Sequence, residues 1–328
     1  MNLFSLADKL RSSRGFVHKQ DISDVAAAMG RLLGKSAAQD VPVGDDCAAI
    51  RDGDGYLLLA IEGFLNEFVE QDPWFAGYCA VMVNASDIYA MGGRPIAVVD
   101  ALWSDGLTKA EPMLTGMAAA AQIYGIPIVG GHTNTRNASG QLAAAILGKA
   151  DRLLSSFAAL PGQMLIAAID LRGRYREPNS YWDASTQRPA ERLRGDLELL
   201  PLLAKSGLSA AAKDISMGGI IGTVLMLLEC SSIGAEIDVN AIPTPPGVSM
   251  DRWLLSFPSY GFVLSAEQKN MERILEIFAD REIAASAIGT TNDSGVLRLR
   301  DGESETEFWN LRERPLIGFS RPTAEVTL

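Results

Sequence analysis

The stretch from Pro73 to Met91 constrains this chain more than any other. Asp72 and Pro73 supply a cap and a first-turn proline, and Gly92-Gly93 supply a stop, so a helix is predicted between them. Trp74, Phe75, Tyr78, Val81, Met82, Val83, Ile88 and Met91 make it apolar nearly all round. A helix without a wet face has to be buried. Asn84 and Asp87 lie three apart in it and share one face. Burying an unpartnered carboxylate costs on the order of several kcal/mol, so Asp87 needs company. A metal ion, a set of backbone amides, or a loop for which it serves as anchor would each provide it.

Around this helix the pattern alternates. Helices are predicted at Asp21–Leu33 (Ile22, Val25, Met29 and Leu33 at helical spacing, Gly34 as the stop), from Thr108 to Gly125, at Arg188–Lys205, Gly219–Ser232 and Gln268–Ala279. Strands are predicted at Tyr56–Ile61, Ile96–Leu102, Ile126–Val129 (short and buried), Gln141–Ala150, Met164–Ile169, Tyr260–Leu264, Ala284–Ile288 and Val296–Arg300. The class is therefore α/β. A chain of 328 residues exceeds the usual size of one core, and Pro161-Gly162 punctuates it, so two domains are expected, 1–152 and 153–328. The polar run Arg172–Arg188 reads as a loop or lid.

The net charge of −11 argues against a nucleic-acid binder, which needs a basic patch. An acidic protein still binds nucleotide when metal ions reverse the local field. Three scattered cysteines and two histidines exclude a disulfide framework and a histidine- or cysteine-rich zinc centre. The N-terminus lacks the apolar core of a signal peptide, and no apolar run reaches bilayer length; no membrane association and a cytoplasmic location are expected.

Three further segments carry possible chemistry. Gly44-Asp45-Asp46-Cys47-Ala48-Ala49 puts adjacent carboxylates in a turn, comfortable in water or around a hard cation such as magnesium. Gly130-Gly131-His132-Thr133-Asn134 follows a strand, where glycines admit a ligand to the backbone or simply make a tight turn. Asp214-Ile215-Ser216-Met217-Gly218-Gly219 leads into an apolar helix, and reads either as a phosphate-binding helix start or as a plain cap. The basic residues Arg11, Arg14, His18 and Lys19 around Gly15 read as a flap over a triphosphate or as a mobile basic arm.

Taken in order, G-D-D-x-A-A, N-x-S-D-x-x-A-M-G-x-x-P, I-V-G-G-x-T and D-I-S-x-G-G resemble the aminoimidazole-ribonucleotide-synthetase superfamily. Here they are Gly44–Ala49, Asn84–Pro95, Ile128–Thr133 and Asp214–Gly219. That superfamily includes thiamine-monophosphate kinase, the hydrogenase-maturation dehydratase, selenophosphate synthetase and formylglycinamidine synthetase. The resemblance implies a two-domain synthetase fold. Its N-terminal mixed sheet with helices contributes to a β-barrel shared in a homodimer, and its C-terminal domain is α/β. It also implies ATP with magnesium. By motif, the metal falls to Asp46, Asp87 and Asp214, with Asp45 assisting. Asn84 organises the site, Gly130, Gly131 and Gly218 approach the nucleotide, and Ser216 contacts it.

The chain also departs from the kinase pattern. Ile61-Glu62 stand for threonine-aspartate, His132 for an aspartate, and Met217 for a second aspartate after the serine. Glu62 is a substitute oxygen ligand, and His132, if protonated, a phosphate contact. The resulting expectation is an ATP- and magnesium-dependent enzyme acting on a small molecule, a phosphotransferase or ligase. A non-catalytic nucleotide-binding relative and an amide- or imine-activating synthetase are the alternatives. Trp253, Phe257 and Tyr260 line a substrate pocket or belong to the core.

Overall fold

The computed structural model describes residues 2–33, 41–302 and 304–321. Two helices come first, α1 (Leu3–Arg11) and α2 (Arg14–Leu33). The chain continues through β1 (Ala48–Asp52), β2 (Gly55–Gly63), α3 (Asn66–Gln71), α4 (Pro73–Ala90), β3 (Arg94–Asp105), α5 (Leu107–Tyr124), β4 (Ile128–Asn134) and β5 (Arg136–Ala150). Next are β6 (Met164–Ile169), the short pair β7 (Arg174–Tyr175) and β8 (Trp182–Asp183), α6 (Ala190–Leu197), α7 (Leu199–Ser206), β9 (Ala211–Asp214) and α8 (Gly219–Ser231). The last elements are β10 (Gly234–Asp238), α9 (Met250–Trp253), β11 (Gly261–Ala266), α10 (Gln268–Ala279), β12 (Ala284–Asn292), β13 (Val296–Asp301) and β14 (Ser304–Asn310).

These elements gather into two units that interleave along the chain, where a single cut at 152/153 was expected. The smaller unit is Asp46–Leu153 with Ser185–Ser206; the larger is Met1–Asp45, Leu154–Ala184 and Gly207–Leu328. Segment 185–206 joins the smaller unit for a visible reason. Ser185 Oγ lies 2.6 Å from both the Tyr78 and Tyr124 hydroxyls in a buried network, and Arg94 holds Glu198 through two nitrogens at 2.6–3.0 Å. Residues 2–33 join the larger unit because Leu3, Leu6, Leu10 and Phe16 are buried in its core, with Phe16 edge-on to Phe308 at 5.5 Å.

In the smaller unit five strands run in the order β1-β2-β5-β3-β4, antiparallel except for the β3–β4 pair. α4 packs on β2, β3 and β5 and is covered by α5 and α7, which explains its missing polar face. Asp72 caps it, accepting from Phe75 N at 3.2 Å. The α4–α5 crossing is close because Gly77 and Gly116 carry no side chain: a Cβ on either would meet the Met113 or Trp74 carbonyl oxygen at 2.0 and 1.9 Å. The larger unit is built on seven strands in the order β14-β13-β10-β12-β6-β11-β9. α8, buried along its whole length, shares a core with this sheet and α1, while α10 buries Ile274, Ile277 and Phe278.

Several elements differ from the sequence reading. α2 starts seven residues before Asp21, and its supposed core residues Ile22, Val25 and Met29 are exposed; Gly34 lies outside the described residues. Gly106, at φ +87°, precedes α5, and Thr108 lies within the helix. Of the predicted buried strand Ile126–Val129, Ile126 is buried, but Ile128 and Val129 open the exposed edge strand β4, which continues through Gly130–Asn134. Arg188–Lys205 is two helices with Glu198 between them. The run Arg172–Arg188 is pinned rather than free: Trp182 is buried and donates to the Asp170 carbonyl at 2.9 Å. Trp253 and Tyr260 belong to the core. The strand entered after Gly44–Asp46 is β1, while α1, β9 and β14 were not foreseen, being short or weakly patterned.

Candidate functional site

In the smaller unit the turn before β1 and the middle of α4 come together. Asp46 and Asp87 bring carboxylate oxygens within 4.8 Å of one another. Asp87 is buried and Asp46 half-buried. Two carboxylates this close repel unless a cation or proton stands with them. One turn before Asp87, Asn84 is fully buried, and its Nδ2 donates to Ala80 O at 2.9 Å and to Ala144 O at 3.0 Å.

Ala144 marks a row across the sheet. Its register partners are Glu62 on β2 and Asp100 on β3, and Asp100 in turn pairs with Gly131 on β4. Strand residues alternate faces, and the buried neighbours Ala60, Leu142, Ile146, Val98 and Leu102 identify this face as the one under α4. Glu62 and Asp100 therefore flank the Asn84 anchor point. Asp100 was not singled out in the sequence, where it sits inside an ordinary strand pattern. Burial lifts its carboxyl above the usual range. A Cβ on Gly131 would lie 2.3 Å from Asp100 Oδ1, so the glycine makes room for that carboxylate.

His132 is placed differently from the expectation. It pairs with Ala101, one residue on from Asp100, and so faces the opposite side of the sheet; its ring is 5.8 Å from that of Trp103. Ile61 is exposed on that same outer side. Gly130 pairs with Val99 within the strand, not in a loop.

The larger unit holds the other motif residues. Asp214 ends β9 and is 2% exposed. Ser216 and Gly218 form the turn into α8, with Gly219 N donating to Ser216 O at 2.8 Å. The chain can turn there because Gly219 takes φ +65°, where a Cβ would meet the Leu254 carbonyl oxygen at 1.9 Å. Ser216 Oγ is buried without a hydrogen-bond partner among the described residues. α2 lies against this turn: a Cβ on Gly15 would be 2.0 Å from the Met217 carbonyl oxygen, and one on Gly218 would be 3.9 Å from Lys19 Cγ. Arg11 is tied to β14, donating to Phe308 O at 3.1 Å. The basic segment is thus packed helix, not a mobile arm. Asp45 is likewise committed: its oxygens accept from Ser155 Oγ at 2.7 Å, Ser156 N at 2.9 Å and Ser156 Oγ at 2.6 Å. That makes it an anchor for the loop that opens the second half of the chain.

The sequence and fold comparisons place the chain in a family. The models for the AIR synthase related protein N-terminal and C-terminal domains match residues 44–150 and 167–302. An uncharacterized protein of Synechocystis sp. is 48% identical over 97% of this chain and 99% of its own length. Another, from Methanocaldococcus jannaschii, is 34% identical over 97% and 100%. A selenide, water dikinase of Myxococcus xanthus is 26% identical over 72% and 70%. Among solved structures, Thermotoga maritima PurL complexed with ATP has the same fold at a TM-score of 0.69 and 20% identity, over 84% of this chain and 46% of that one. This chain thus spans about half the length of PurL. A ThiL protein complexed with AMPPCP and TMP gives a TM-score of 0.65 at 16% identity, over 87% and 96%. The chain belongs to the AIR synthase related family.

Proposed function

We propose that this protein is an ATP- and magnesium-dependent enzyme that phosphorylates or activates a small molecule. The observation that carries the reading is the Asp46–Asp87 pair, two partly or fully buried carboxylates within 4.8 Å. The donor set around it is all oxygen, which fits a hard divalent cation and not zinc or copper. Asp46 and Asp87 are proposed as magnesium ligands on this geometry, Glu62 on its place in the same sheet row, and Asp214 on its motif. When bound there, magnesium neutralises phosphate charge and polarises phosphoryl oxygens. The chain's own groups do the positioning. Ser216 and Gly218 open α8, whose first amides suit a phosphate, and Lys19 alongside adds positive charge. Gly130 and Gly131 leave the backbone of β4 accessible. That relatives were solved with ATP and AMPPCP supports the nucleotide.

A homodimer is part of the proposal. Leu59, Ile61 and Val99 are exposed on the sheet face away from α4, an apolar surface wanting a partner.

Calorimetry with ATP and magnesium tests the reading. Wild type should bind nucleotide in a magnesium-dependent way, and Asp87→Asn should weaken this by about 10-fold or more. Equal binding with and without magnesium, in both proteins, would sink it. The positions of Ile61, His132 and Met217 favour a second reading, a relative that holds nucleotide without turnover. Tight binding with no ATP hydrolysis across candidate acceptors would select that one.

A further inference from the structure

Asn84 carries more than its place in the motif. Both hydrogens of its Nδ2 are used, one by Ala80 O in the preceding turn of α4 and one by Ala144 O in β5. The amide is thereby locked, because a flip would turn Oδ1 against two carbonyl oxygens. Oδ1 is buried and has no hydrogen-bond partner among the described residues. A buried acceptor left in this state pays its full desolvation cost, which a native structure tolerates only where something else fills the place. Asp87 stands one turn further along the same helix face, with the Asp46 carboxylate within 4.8 Å of it.

We infer that Asn84 Oδ1 is the neutral oxygen of the divalent-cation site, held in position by the two Nδ2 bonds. This rests on the magnesium reading above. A water molecule in the same place would answer Oδ1 alone, whereas a cation would also draw on the carboxylate oxygens of Asp46 and Asp87, which lie within 4.8 Å of one another. The neutral amide adds an oxygen without adding negative charge to a site that already has two carboxylates. Its fixed orientation presets one coordination direction before the ion arrives.

Manganese alone, titrated into the full chain, is the probe. Free Mn2+ is read by electron paramagnetic resonance, and thermal unfolding is followed with and without the ion. Asn84→Ala should raise the Mn2+ dissociation constant about 10-fold or more. Asn84→Asp keeps an oxygen, adds a charge and loses the Nδ2 donors. It should unfold at a lower temperature than wild type without Mn2+, and gain a larger increase in Tm when Mn2+ is added. Should Asn84→Ala fail to fold, the Asn84→Asp increment decides alone. A wild-type dissociation constant in Asn84→Ala, or a wild-type increment in Asn84→Asp, would make Asn84 a clip between α4 and β5 over a buried water. Asp87→Asn separates the two levels. If it abolishes Mn2+ binding while the Asn84 variants behave as wild type, only this inference fails. If wild type itself binds no Mn2+, the cation reading fails and this inference falls with it.

Discussion

At the scale of single residues, burial decides which charges matter, and Glu229 is a case outside the candidate site. It projects from α8, is 5% exposed, and accepts the backbone N–H groups of Leu316, Ile317 and Gly318 at 2.8–3.1 Å. Desolvation pushes its carboxyl above the usual range, and the three backbone donors only partly offset this. The ionised form is therefore less favoured in the fold than in the unfolded chain. Stability from this group is full below the ordinary glutamate value and is lost as pH rises through the raised one. Wild type should gain on Glu229→Gln as pH falls from 7 toward the ordinary glutamate range, measured by urea unfolding of both proteins. Parallel pH curves would refute the argument. Much of the candidate site was legible at this scale, because Asp46, Asn84 and Asp87 stand in spaced motifs. Asp100 was not: it occupies an alternating strand, and only the sheet register reveals that it shares a row with Glu62 and Gly131. Asp45 and His132 are placed differently from the expectation. Adjacent positions in a turn or strand point to different sides, so Asp45 went to Ser155 and Ser156 while Asp46 went to Asp87.

Among elements, the all-round apolar character of α4 was the reliable signal, and its physical basis is the crossing with α5. Gly77 and Gly116 let each helix approach the other's backbone, with no room for even a methyl group. Gly116→Val should separate the helices and destabilise the protein by about 3 kcal/mol or more, beyond ordinary overpacking because the obstacle is backbone. Gly116→Ala should do so to a lesser extent, and thermal unfolding checks the order. An unchanged Tm in Gly116→Val would show that the crossing is looser than described. α2 shows the limit of periodicity. Its stripe Ile22, Val25 and Met29 has helical spacing, and the helix is there, but those residues face outward while Phe16, off the stripe, makes the buried contact. A period identifies a helix; it does not say which of two faces finds the core. β4 is the converse: four apolar residues before a glycine pair read as buried, yet the strand is an edge and is exposed throughout.

For the whole molecule, the α/β class followed from the alternation of helices and strands, while the interleaving of the two units along the chain is not a local property. Contacts such as Ser185 with Tyr78 and Tyr124, or Phe16 with Phe308, join residues far apart in the chain, and no local pattern announces them. The same scale holds the strongest unmet demand of the fold. The outer face of the five-stranded sheet presents Leu59 at 47% exposure and Ile61 at 71%, with Leu147 beside Leu59 in register. A net charge of −11 keeps such a protein from sticking to itself at random, so a partner for this face has to be specific, and a second copy presents the same apolar strip. A twofold contact would bury each of these side chains, worth about 1.5–3 kcal/mol apiece. Leu59→Asp and Ile61→Asp, separately, should therefore raise the dimer dissociation constant about 10-fold or more. Because both side chains are already in solvent within one copy, the circular dichroism and the Tm of the dilute protein should hardly change. Sedimentation equilibrium of wild type and both variants decides the matter. A wild type that sediments as a monomer at micromolar concentration would refute the dimer, and variants as dimeric as wild type would move the contact to another face.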